Sequence, residues 1–172
     1  MAIHDFESCL KIYPYYSPAY REKAKCYYRK KDYTKSRLNI DKCYSINNKD
    51  LDNLVLGIMT CIEDTNVIIG KDYVKKAKHV NKDDRVYGLY SILLNLNREY
   101  EKAYSELQIG VQKFPTSSHI YEGFVFYYYL KKDYESMSKY VNLIASTFPY
   151  MLKDDEFRKK VNELRIESPE SQ

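Results

Sequence analysis

The chain has 172 residues, 30% charged and 44% apolar, with five prolines, five glycines, no tryptophan and 20 tyrosines, and those figures suit one soluble, helix-rich unit of domain size. No apolar run approaches the ~18 residues of a membrane span, which excludes membrane insertion by a helix. The net charge of +4 is uneven: residues 1–50 hold eight lysines and three arginines against six acids, whereas residues 51–172 are nearly balanced, so the basic field is either a solvated surface or a site for acidic peptides or a polyanion.

In chain order, residues 2–14 (AIHDFESCLKIYP) read as a single helix with Ala2, Phe6 and Cys9 on one face. Ser17 and Pro18 then suit a helix start, serine as cap and proline where no amide hydrogen is needed. That helix is expected to run to about Arg29, turn through Lys30, Lys31 and Asp32, and continue as a second helix from Tyr33 to Ile46. The next pair turns at Glu63, Asp64, Thr65 and Asn66. Asp50 and Asp52 before and within its first helix read as helix-start acids. A third pair turns at Arg98 and Glu99, and a fourth at Lys132 and Asp133. Asp154, Asp155 and Glu156 open a last helix whose apolar stripe is Phe157, Val161 and Leu164.

Residue types recur in phase along these pairs. Tyr20, Ala24, Tyr27, Tyr33, Ser36, Ile40 and Cys43 are followed by Leu54, Ile58, Cys61, Gly70, Val74 and Ala77. Then come Tyr87, Ser91, Leu94, Tyr100, Ala103, Leu107, Gly110 and Pro115, and finally Tyr121, Val125, Tyr128, Tyr134, Met137, Val141, Ile144 and Pro149. This pattern of large, small and aromatic positions resembles the tetratricopeptide repeat (TPR), a helix–turn–helix unit of about 34 residues. The first copy departs at Asn48, where proline is common, and at Lys23, where leucine is usual. The resemblance implies four repeats, at 17–50, 51–83 (degenerate), 84–117 and 118–151. Residues 2–14 would be the second helix of a truncated repeat, residues 153–166 a C-terminal capping helix and residues 167–172 a tail. The implied fold is all-α, a right-handed α-α superhelix (TPR solenoid) with that cap. A half repeat at the start is expected to belong to a longer protein and to leave Ile3 and Phe6 exposed, a route to self-association.

In TPR proteins the first helix of each repeat lines a concave groove, and the positions that meet a bound peptide carry over residue by residue. They are Arg21, Lys25, Tyr28 and Arg29 in the first repeat and Leu56, Met59 and Ile62, beside Val55, in the second. The third gives Arg85, Leu89, Ile92 and Asn95, and the fourth Glu122, Phe126 and Tyr129, beside His119. The expected groove is basic and aromatic at one end and apolar through its middle. The resemblance thus implies a non-catalytic protein-interaction scaffold for a peptide or helix whose acids meet the N-terminal repeats. The alternative is a repeat segment that assembles within a larger complex through its ends or convex face. TPR domains that clamp the C-terminal carboxylate of chaperone tails need asparagine and cations where this chain has Leu56 and Leu89, so that subclass is not expected. Nucleic acid is not the expected partner either, because the mixture of Arg21, Lys25, Arg29, Lys30 and Lys31 with Tyr27 and Tyr28 is confined to one repeat.

Nothing in the sequence points to catalysis. His4, His79 and His119 fall in different repeats without a matching acid or nucleophile, and no glycine-rich loop could cradle phosphate. Cys9, Cys26, Cys43 and Cys61 have neither metal nor redox spacing and suit small buried positions in a reducing compartment. Neither cofactor nor metal is expected. The opening MAIHDFESCL lacks the basic-then-apolar order of a secretory leader, and an intracellular, cytoplasmic location is expected.

Overall fold

The computed structural model describes residues 2–148. Among them are nine α-helices and no strand: α1 Ala2–Ile12, α2 Ser17–Arg29, α3 Tyr33–Ile46, α4 Leu51–Glu63, α5 Val67–Val80, α6 Asp84–Leu96, α7 Tyr100–Lys113, α8 Ser118–Lys131 and α9 Tyr134–Thr147. The expected capping helix at 153–166, the tail at 167–172 and Pro149 lie outside the described residues. The chain divides into two compact units, one ending at Val86 and the other beginning at Tyr87.

The turn within each helix pair is built the same way. Lys31, Thr65, Arg98 and Lys132 take left-handed backbone conformations, with φ between 55° and 60°. The residue that follows, Asp32, Asn66 or Asp133, accepts the amide hydrogen of Lys35 (3.1 Å), Ile69 (3.3 Å) or Ser136 (3.0 Å), which satisfies a donor the new helix leaves unpaired. Glu99 sits at the same place before α7 but provides no such cap. Its side chain has one more methylene than aspartate and instead holds Lys102 at 2.7 Å. At the start of α2 the expectation for Ser17 is corrected. The flanking residue is Tyr16, no side chain caps the helix, and Ser17 is buried in the first turn beside Pro18.

Within the first unit, α2 packs on α3 and α4 on α5. The second helices bury one stripe each: Ser36, Ile40 and Cys43 on α3, and Gly70, Tyr73, Val74 and Ala77 on α5. Close approach is made possible by small residues. The Ser36 hydroxyl donates to the Ala24 carbonyl at 3.1 Å, and a β-carbon on Gly57 would meet the Tyr73 ring at 2.9 Å. Asn53 ties α4 to α3 by donating to the Ile40 carbonyl at 2.9 Å.

In the second unit, Tyr87 and Leu94 of α6, Ala103 and Leu107 of α7, and Ile120, Phe124 and Tyr127 of α8 form one core. Val125, Met137, Val141 and Ile144 form another between α8 and α9. Aromatic rings link them, with Phe124 and Tyr140 stacked at 4.5 Å. Tyrosine thus supplies much of this core's bulk, and the Tyr87 hydroxyl accepts a hydrogen bond from Lys113 at 2.7 Å.

α1 packs along α2, with Lys23 paired to Glu7 at 2.9 Å, yet it buries no residue of its own. Ile3 and Phe6, expected to be exposed, are half-buried. The exposed apolar side chains lie just beyond, at Ile12, Tyr13, Tyr15 and Tyr16.

Candidate peptide-binding faces

The candidate residues divide by unit. In the first, Arg21 reaches from α2 to the start of α4, where its guanidinium donates to both carboxylate oxygens of Asp50 at 2.9 and 2.8 Å. Asp50 also accepts the Asn53 amide at 3.0 Å, so one carboxylate caps α4 and anchors α2. Burial works against the Arg21 charge, but the hydrogen bonds it donates to Asp50 and the negative charges of Asp50 and the nearby Glu22 outweigh it and hold the pKa above its ordinary value. Lys25 donates to Glu22 at 2.7 Å, and that bond lowers the Glu22 pKa. Arg85 is held by Asp83 at 2.8 Å and by Asp52 at 2.9 Å. Its pKa is raised chiefly by the Asp83 hydrogen bond. The expectation that Arg21 and Lys25 stand ready for an acidic ligand is therefore corrected, since each is already engaged by a carboxylate of the same unit, and Arg85, a candidate groove residue, is engaged likewise. Arg29 is exposed at the end of α2, and Tyr28 rests its ring 6.1 Å from Tyr33.

On α4, Leu56 is only 7% exposed and Val55 6%, so both belong to the packing of the unit. Leu56 as a ligand anchor is a second correction. Met59 and Ile62 are half-buried on the same helix, three residues apart and so on one face.

In the second unit, Leu89 and Ile92 are half-buried on α6, and Glu122, Phe126 and Tyr129 are half-buried on α8. Asn95 is 2% exposed, and both polar atoms of its side chain lack a hydrogen-bond partner among the described residues. It is an interior residue, not a groove contact, which is a third correction. Glycines set the spacing of α6 and α8. A β-carbon at Gly88 would lie 2.3 Å from the His119 carbonyl oxygen, and one at Gly123 would lie 2.5 Å from Leu107 and 2.8 Å from the Ser91 hydroxyl. This contact was missed in the sequence. Its signal was the glycine pair itself, each on a first helix where a side chain is the norm.

Chemically, these faces offer methyl, thioether and ring surface with few unsatisfied charges. Among the described residues no group of three or more His, Cys, Asp or Glu side chains could hold a metal ion, and no helix is long and apolar enough to cross a membrane. Burial pushes the Cys43 thiol up to about 12 and the Cys61 thiol up to about 11, away from nucleophilic chemistry near neutrality.

No protein-family model matches the sequence, and no curated protein is similar to it at a significant level. The fold has clear counterparts among solved structures. A tetratricopeptide repeat protein from Parabacteroides merdae superposes with a TM-score of 0.75 at 15% identity, over 84% of this chain and 57% of that one. YrrB, described as a TPR protein with an unusual peptide-binding site, superposes with a TM-score of 0.62 at 13% identity, over 94% of this chain and 81% of its own. The chain has the all-α helical-repeat fold of TPR proteins. It spans little more than half the length of the P. merdae protein.

Proposed function

We propose that the chain is a non-catalytic protein-interaction module that takes up a short peptide or helical segment on the open faces of its first helices. The observation that carries this reading is the division of those helices into two faces. Residues such as Leu54, Ile58 and Cys61 on α4 and Leu94 on α6 are fully buried against neighbours, while Met59 and Ile62, Leu89 and Ile92, and Phe126 and Tyr129 remain half-exposed. Apolar side chains that the fold leaves partly open at helical spacing suit ligand anchors, and a few such anchors dominate affinity in peptide recognition. A peptide-binding site is also described for YrrB, which shares the fold.

The ligand is apolar in its anchoring residues. Of the cations that the resemblance sets against ligand acids, Arg21 and Lys25 spend their charge on Asp50 and Glu22, while Arg85 is held by Asp83 and Asp52, and the attraction these leave for an acidic peptide is correspondingly weak. Selection from a random peptide library displayed on phage tests the reading. Enriched peptides are expected to share two or more large apolar residues at a fixed spacing, without an acidic consensus. A selection that enriches acidic motifs, or nothing at all, would overturn it.

A further inference from the structure

We propose that the outer face of α3 and α5 in the first unit attaches the protein to the surface of an anionic phospholipid bilayer. This face is separate from the peptide-binding faces above, which lie on the first helices.

Charge singles out these two helices. They carry seven lysines and arginines against two acids, whereas their counterparts in the second unit, α7 and α9, carry three against three. The repeat itself does not call for the surplus, because all four helices bury the same kind of small and apolar stripe. Carboxylates of the first unit take part of it. Lys35 is held by Asp32 at 2.8 Å, Lys76 by Asp72 at 2.6 Å, and Arg37 by Asp64. Lys42, Lys75 and Lys78 are exposed on the helices, as are Lys49 and Lys82 just beyond their ends.

The two helices present one surface. The Tyr73 phenol donates to Asp41 at 2.7 Å, and three residues further along each helix Lys76 lies 4.8 Å from the centre of the Tyr44 ring. α3 and α5 therefore run side by side in the same direction. About one turn before this contact both expose aliphatic side chains. Leu38 is 64% exposed on α3, and Ile68 and Ile69 are 85% and 38% exposed on α5. Ile68 is the most open large apolar side chain among the described residues.

Aliphatic groups and lysines on one face define the partner. A bilayer interface accepts both, the aliphatic side chains at the boundary of headgroups and acyl chains and the lysines at the lipid phosphates. Nucleic acid would meet the lysines but leave Leu38 and Ile68 in water, since its bases stack on aromatic rings. The attachment is peripheral, because no described helix is long and apolar enough to cross a membrane.

The test is sedimentation of the full chain with vesicles of phosphatidylcholine, alone or with about 30% phosphatidylserine, at low and high salt. Binding is expected only when phosphatidylserine is present, and to fall as salt screens the lysines. Lys42→Glu combined with Lys75→Glu should weaken it about tenfold or more, and Ile68→Ser about threefold, while Leu143→Ser on α9 leaves it unchanged. All four positions are exposed, and circular dichroism verifies the fold of each variant. Failure to bind the anionic vesicles, or equal binding by all variants, would overturn the proposal. So would tighter binding of an RNA oligonucleotide or of polyglutamate that Ile68→Ser does not change, because the occupant would then be nucleic acid or an acidic polypeptide.

Discussion

The phenol of Tyr20 donates a hydrogen bond to the carbonyl of Pro14 at 3.1 Å, across the connection from α1 to α2. Tyr121 makes the same bond to Pro115 at the start of α8, also six residues upstream. Proline bars the helix from continuing by lacking an amide hydrogen, and the tyrosine hydroxyl satisfies the carbonyl of that proline in the connection. Both bonds are exposed, so each contributes little. Tyr20→Phe and Tyr121→Phe are expected to lower stability by about 0.5 kcal/mol each in urea titrations, with helix content unchanged.

The four left-handed turn residues store strain that glycine would relieve. Thr65 is the most strained, because a β-branched side chain suits φ near 55° least. Thr65→Gly is expected to stabilise the protein by about 1 kcal/mol, in spite of the greater freedom glycine gives the unfolded chain. Glu99→Asp, which restores the cap its three counterparts have, is expected to add roughly 0.5–1 kcal/mol. Thermal unfolding of the two variants measures both.

Gly88 is required by backbone contact, not by its own conformation. Alanine there would gain about 1 kcal/mol of helix propensity but place a methyl against the His119 carbonyl. Because the obstacle is backbone, α6 and α8 must separate. Gly88→Ala is expected to destabilise by about 1–3 kcal/mol, read from the urea midpoint.

The four thiols should differ in reactivity. Cys43 and Cys61 are buried and their raised pKa values keep them protonated at pH 8, so thiolate is scarce. Cys9 and Cys26 are half-buried. Iodoacetamide on the folded protein, followed by peptide mass analysis, is expected to label Cys9 and Cys26 well before Cys43 and Cys61. Unfolding in urea should remove the difference.

The fold was legible in the sequence because burial imposes residue types. Ser36, Ile40 and Cys43, or Ala103, Leu107 and Gly110, must be small or apolar to let two helices meet, and that demand recurs in phase. The site was legible only in part. Met59 and Leu56 have similar side chains on one helix, yet Leu56 is buried and Met59 half-open, a difference set by neighbours distant in sequence. Arg21 looked available because its partner Asp50 lies 29 residues away, and charge pairing leaves no periodic trace. Asp50 was recognisable as a helix-start acid, but its second role depends on how α2 and α4 pack.

The most direct test of the peptide-binding account is the affinity of one selected apolar peptide for the wild-type chain and for Phe126→Lys and Met59→Lys, each measured at low and high salt after circular dichroism has verified the fold. The account predicts that at least one substitution weakens binding by about tenfold or more, and that wild-type affinity changes little with salt. Affinity that survives both substitutions and falls steeply with salt would contradict it, and would place recognition on exposed cations such as Arg29, Lys30 and Lys31.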